Sequence, residues 1–197
     1  LSQPRDPDTK RPDGRTPLHF AAEKGSLECA SLLLEAGADK EVKAKGKTPL
    51  HLAALNGHVE LLRFLIESGA EKDACAGNGA TCLHLAAHKG RTAAVRALLE
   101  FRAAINEVTT DGRTALHFAA EFGRLEVARL LLQAGAEKEQ PTTDEHCLTP
   151  LHWAAYSGHL ELVRLLLENG CDKQKTTKPF DETPSQLALS VGHSKQP

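Results

Sequence analysis

Apolar residues along the chain fall into short paired blocks, not long runs. Each pair opens on a Thr followed by Leu, His and two Ala. Thr16-Pro17-Leu18-His19-Phe20-Ala21-Ala22 returns as Thr48 to Ala54, Thr81 to Ala87, Thr114 to Ala120 and Thr149 to Ala155. A degraded copy runs from Thr183 to Leu189. Successive Thr residues are 32, 33, 33, 35 and 34 positions apart. Nine residues after each Thr stands a Gly: Gly25, Gly57, Gly90, Gly123, Gly158 and Gly192.

Each part of this unit has a physical meaning. Thr is a helix N-cap, and Pro at the first helical position loses no hydrogen bond. Leu and the Ala pair make a short helix with one narrow, closely packing face, and the Gly ends it in a left-handed conformation. Helical spacing of apolar residues predicts a second helix over Leu27 to Glu35, Val59 to Glu67, Thr92 to Glu100, Leu125 to Gln133 and Leu160 to Glu168. A second Gly closes it at Gly37, Gly69, Gly135 and Gly170. The remaining stretches, such as Glu107 to Arg113, are turn chemistry and predict projecting hairpin-like loops.

The period and the Thr-Pro-Leu-His-x-Ala block resemble the ankyrin repeat family, whose known signature they are. The resemblance covers roughly residues 10–193. It implies an all-α solenoid of helix-turn-helix units with β-hairpin loops, five repeats plus a partial C-terminal repeat. The chain 1–197 is then one repeat domain, with repeats near 10–42, 43–74, 75–107, 108–141 and 142–175, and a partial repeat over 176–197. The physics agrees: one pair of short helices cannot bury its apolar face alone, but stacked neighbours can.

Departures from the pattern carry information. Cys82 and Ala115 replace Pro, which weakens those helix starts slightly. Arg102 stands where the second Gly belongs, so a non-Gly residue is expected at positive φ, at a cost of about 1 kcal/mol. The loop before Thr149 (Gln140 to Leu148) is two residues longer than the common length and has no Gly. The loop before Thr183 is one residue longer. Ser185 and Gln186 replace Leu-His in the last copy, and nothing after Gly192 is long enough for a second helix, so the last helix is expected to be marginal.

Composition narrows the class. Aromatics make up 4% of the chain, so the core must be mostly Leu and Ala, which disfavours a β-sandwich or barrel. Net charge is −2, which draws the chain to neither nucleic acid nor anionic membrane. No run approaches the roughly 18 apolar residues of a membrane span, and the start is not a signal peptide. Five Cys without a C-x-x-C pattern point to free thiols in a reducing compartment, cytoplasmic or nuclear. Met is absent, and the expectation is a segment of a longer protein or a processed product.

The search for chemistry returns little. His19, His51, His84, His117 and His152 occupy one repeat slot, about one layer apart, too far to share a metal at about 2.1 Å per ligand. They are expected to hydrogen-bond across neighbouring loops, which fixes their tautomers. His146-Cys147 has no partners at finger-like spacing. Gly46-Lys47-Thr48 mimics the end of a phosphate loop without the upstream Gly or a preceding strand. No catalytic site, metal or cofactor is expected. Residues 1–47 carry nine basic and eight acidic side chains, and residues 112–172 carry five and nine, so charge shifts from mildly basic to acidic along the stack. A nucleic-acid role would need a stronger basic stripe and interleaved aromatics. The resemblance also implies a candidate modification: Asn106 lies in a loop slot that is an asparagine-hydroxylation position in the family. Leu98 matches the upstream place, while Ala104 replaces the expected acid.

The resemblance implies function through binding of proteins by loop tips and the first-helix face. The two residues before each helix-ending Gly face that groove: Glu23-Lys24, Leu55-Asn56, His88-Lys89, Glu121-Phe122 and Tyr156-Ser157. Leu55, Phe122 and Tyr156 are apolar where exposure is expected, and exposed aromatics are good hot spots. Trp153 fills the slot of Phe20, Leu52, Leu85 and Phe118, where it either packs between repeats or meets a ligand. The expected hot spot spans the fourth and fifth repeats, flanked by Asp111, Arg113, Asp144 and Glu145. It calls for a monomeric scaffold whose protein partner presents basic residues around an apolar anchor. The alternative is a structural or regulatory spacer of a larger enzyme or channel.

Overall fold

The computed structural model describes residues 6–191. Gly192, His193 and the chain start Leu1 to Arg5 lie outside the described residues. Six first helices, α1 (Pro17–Lys24), α3 (Pro49–Asn56), α5 (Cys82–Lys89), α7 (Ala115–Glu121), α9 (Pro150–Tyr156) and α11 (Pro184–Ser190), alternate with second helices. The second helices are α2 (Leu27–Glu35), α4 (Val59–Glu67), α6 (Thr92–Glu100), α8 (Leu125–Gln133) and α10 (Leu160–Glu168), with the bounds that their apolar spacing predicts. First helices stack on first helices and second on second, giving two rows.

The inner row is the tighter one because its contacts are alanines. Ala22, Ala53, Ala54, Ala86, Ala87, Ala119, Ala120 and Ala154 are fully buried. Backbones then approach closely, and Leu18, Leu50, Leu83, Leu116 and Leu151 fill the space towards the outer row. Among the described residues no strand forms. The loops are turns, with one isolated antiparallel bridge between Ala44 and Lys47. Loop tips bond along the stack instead, Thr110 N to Asn78 O at 3.1 Å and Thr143 N to Asp111 O at 3.0 Å.

The repeated histidine is the joint between layers. In α5 the Nδ1 of His84 accepts from Thr81 N at 3.1 Å, closing a capping box at the helix start. Nδ1 is therefore the unprotonated nitrogen, and Nε2–H donates to Arg113 O of the next unit at 3.0 Å. His19 reaches Lys47 O, His51 reaches Ala80 O and His117 reaches Leu148 O in the same way. At His152 the joint is incomplete: Nε2 is buried with no hydrogen-bond partner. The carbonyls of Lys175 and Glu182 lie near enough to act on the ring, but neither makes a hydrogen bond to Nε2. In α11, Gln186 takes the histidine's place, and its Oε1 accepts from Thr183 N at 2.8 Å. That helix leaves Leu189 and Val191 exposed.

A second joint runs the opposite way. The residue after each helix-ending Gly donates back to the previous unit: His58 to Glu23 O, Arg91 to Leu55 O, Arg124 to His88 O and His159 to Glu121 O. The side chain lies across the preceding unit's Gly. At Gly123, with φ 63°, a Cβ would sit 2.7 Å from the His159 ring, so both conformation and space demand glycine. A third joint uses an acceptor side chain at the loop base. Asp8, Glu41, Asp73, Asn106 and Glu139 accept from the backbone N–H of Asp39, Glu71, Ala104, Glu137 and Asp172. Arg102 has φ 57°, the left-handed geometry expected of it.

Burial holds the joint imidazoles neutral, pushing His51, His84 and His117 down to about 4 against an ordinary 6.5. Between pH 6.5 and about 4 the unfolded chain binds more protons than the fold. Stability is therefore full above pH 6.5 and is lost as pH falls through that window. Denaturant melts at pH 7 and pH 4.5 should differ by on the order of a few kcal/mol. The difference should shrink in His84→Gln, since Gln can accept the Thr81 N–H, as Gln186 does in α11, without titrating. Arg102→Gly should raise stability at pH 7 by about 0.5–1 kcal/mol by relieving the left-handed backbone, read from the same melts.

Candidate functional site

The expected hot-spot residues gather where the fourth and fifth layers meet. Phe118, on α7, and Trp153, on α9, occupy the same slot of successive first helices. Arg113, the residue before the Thr114 cap, lies between them, with its guanidinium 4.3 Å from the Phe118 ring centre and 4.4 Å from that of Trp153. It also pairs with Glu121 at the end of α7. The Arg113 side chain is only 14% exposed. Its charge is spent inside the protein: Arg113 braces the groove floor and leaves little for a partner to contact. Trp153 is half-buried in the same cluster, and its Nε1 and the Nε of Arg113 are buried without hydrogen-bond partners. A cation between two rings offsets part of that cost.

The first layer carries a simpler version. Arg15 pairs with Glu23 at 2.7 Å and lies 4.5 Å over Phe20. The next layer has Leu52 in the Trp153 slot, so no second ring closes over Arg15.

Phe122 and Tyr156 remain partly open, 37% and 46% exposed. Phe122 packs on His88, ring centres 4.3 Å apart, and His88 also approaches Phe118 at 6.2 Å. Burial, reinforced by Lys89, lowers the His88 pKa, so the ring is an apolar neighbour at neutral pH. Tyr156 meets Trp153 edge-on at 6.2 Å. Lys89 is exposed and Leu55 half-buried, layers away from Tyr156.

The acidic flank is partly absorbed by its own loops. Asp111 is exposed but receives the Thr109 hydroxyl, and Asp144 Oδ1 accepts from Thr142 Oγ1, His146 N and Cys147 N. These bonds organise the longer loop, in which Cys147 has φ 53°. Glu145 projects into solvent. Asn106 is half-buried, its Oδ1 engaged as one of the loop-base acceptors.

The structure adds residues that the sequence pattern did not single out. A pocket of about 530 Å³ opens beyond Tyr156, lined by Trp153, Tyr156, Leu148 and Leu187 and by Phe180 and Glu182 of the loop before α11. Phe180 is 72% exposed. The signal available in the sequence was the extra residue in that loop, which carries an aromatic where the shorter loops do not.

The joint histidines have both nitrogens occupied or buried, and among the described residues no three His, Cys, Asp or Glu side chains converge as a metal site. Burial pushes the Cys171 thiol up to about 12 and Cys82 higher still, so neither is a thiolate at neutral pH. The described cysteines are all free thiols. No described helix is long and apolar enough to cross a membrane.

A family model described as ankyrin repeats in three copies matches residues 1–74 and 71–142, and one described as the ankyrin repeat matches 146–178. No curated protein matches the chain.

Arg113→Ala takes the brace from between its rings and leaves Glu121 unpaired. Stability should drop by about 1–3 kcal/mol. Trp153, the one Trp of the chain, should shift its emission to the red as water reaches it. An unchanged melting midpoint and emission spectrum would refute the bracing role.

Proposed function

Because the chain belongs to the ankyrin repeat family, whose members are in general protein-interaction modules, we propose that it holds a partner protein against its first-helix row and loop tips without catalysis. The observation that carries this reading is the pair of part-exposed rings, Phe122 and Tyr156, standing on a floor made rigid by the Arg113 sandwich. Rings that are apolar, open and preordered lose little entropy when covered, which is the character of a hot spot.

Charge selects the partner. Around these rings, Glu145 is exposed on its loop beside His146, and Asp111 is exposed. Arg113 is neutralised by Glu121. The rim is therefore net acidic and suits a segment with basic residues around an apolar anchor. The framework residues fold the stack, and the slot residues recognise. The spacer alternative lacks a comparable observation, since a passive spacer has no use for open rings in the groove.

The test is a partner screen with the intact chain and with Phe122→Ala combined with Tyr156→Ala. Both side chains are part-exposed, so the double variant should keep its helical signal. Partner affinity should fall at least about tenfold. Affinity within error of the wild type, with the fold intact, would sink the proposal.

A further inference from the structure

The pocket beyond Tyr156 has a chemistry of its own. Three of its walls are aromatic: Trp153 and Tyr156 from α9, meeting edge-on at 6.2 Å, and Phe180 from the loop before α11. Leu148 and Leu187 complete an apolar lining, and Glu121 and Glu182 stand at its edge. Aromatic faces are negative at the centre and attract a cation, more strongly where water is excluded.

The surrounding charges point the same way. The pocket is framed by two loops, 142–148 and 176–182. The first carries Asp144 and Glu145, and the second Asp181 and Glu182 against the single Lys178. His146 also lines the pocket, beside Glu145 at 3.6 Å. Arg113 lies against Trp153 but is paired with Glu121, so the two cancel locally. Acidic groups thus outnumber basic ones around a mostly apolar cavity.

We propose that this pocket takes the cationic end of a lysine or arginine side chain from the partner segment. The aliphatic stem lies along Leu148 and Leu187, the charged head sits among Trp153, Tyr156 and Phe180, and Glu182 supplies the counter-charge. This rests on the protein-binding reading and gives it a polarity. The apolar anchor covers Phe122, and the basic residue that follows it on the partner drops into the pocket one layer further on. The volume of about 530 Å³ admits one such side chain with room for water.

The test needs no partner protein. Trp153 gives the single indole N–H resonance of the chain, so a two-dimensional amide spectrum reports on the pocket directly. Acetyl-lysine-amide and acetyl-arginine-amide (each blocked at the backbone, with a free charged side chain) should shift that resonance saturably. The uncharged isostere acetyl-norleucine-amide should bind at least about fivefold more weakly. Phe180→Ala and Glu182→Gln, both outside the helical core, should each weaken the cationic probes about threefold or more while the remaining spectrum keeps its dispersion. A stronger response to arginine than to lysine, or the reverse, identifies the preferred head group. Equal binding of norleucine, or unchanged binding in both variants, would overturn the proposal. Because the probes are single residues, and Phe180→Ala and Glu182→Gln leave Phe122 and Tyr156 in place, the two readings fail separately: cations can fail here while the groove still binds protein, and the converse.

Discussion

The whole stack depends on one buried imidazole placed between two backbones. Its Nδ1 must accept the N–H at its own helix start, so its Nε2 must carry the proton, and that proton reaches the carbonyl of the next layer. Helix initiation and layer stacking are thereby the same event. A layer whose Thr–His pair forms presents a donor at the right height for its neighbour, and a misplaced neighbour leaves that donor buried and unpaired, at a cost of about 1–3 kcal/mol. The alanine contacts of the inner row would by themselves tolerate sliding.

The other joints support this one from both sides. The His or Arg after each Gly bonds backwards, while the loop-base acceptors take N–H groups of the following unit. Each of the first four interfaces is tied at helix start, helix end and loop base. That three-point attachment lets loops without strands keep a defined shape, and it is why the Arg113 guanidinium can be held between rings from two different layers.

Most of the fold was legible in the sequence, since the first-helix starts and most helix ends are written in residues with a local physical effect, Thr, Pro and the two Gly, and the second helices in their apolar spacing. The five second helices and the left-handed Arg102 could be read in advance for that reason. The histidine's contact with the next loop was legible as a need for partners, but its bond to the Thr N–H was not, since both functions suit the same residue. The loop-base acceptors escaped notice because Asp, Glu and Asn alternate there and no single residue type repeats. The candidate groove was half legible. Phe122 and Tyr156 stand out as apolar residues in polar slots, but whether Arg113 faces a partner or the interior depends on Trp153 one layer away, and only packing decides it. Phe180 belongs to a loop outside the repeat pattern, so periodicity is silent about it.

The unpaired Nε2 of His152 gives the array a direction. In a structure whose layers touch only their neighbours, opening proceeds from the weakest joint, not from the middle. Here that joint lies between α9 and α11, the same two helices that wall the aromatic pocket. The layer with the incomplete joint and the layer that offers the most open ring surface are one place. Anything seated there binds only the closed form and, by mass action, returns to that layer the cohesion that its own joint lacks.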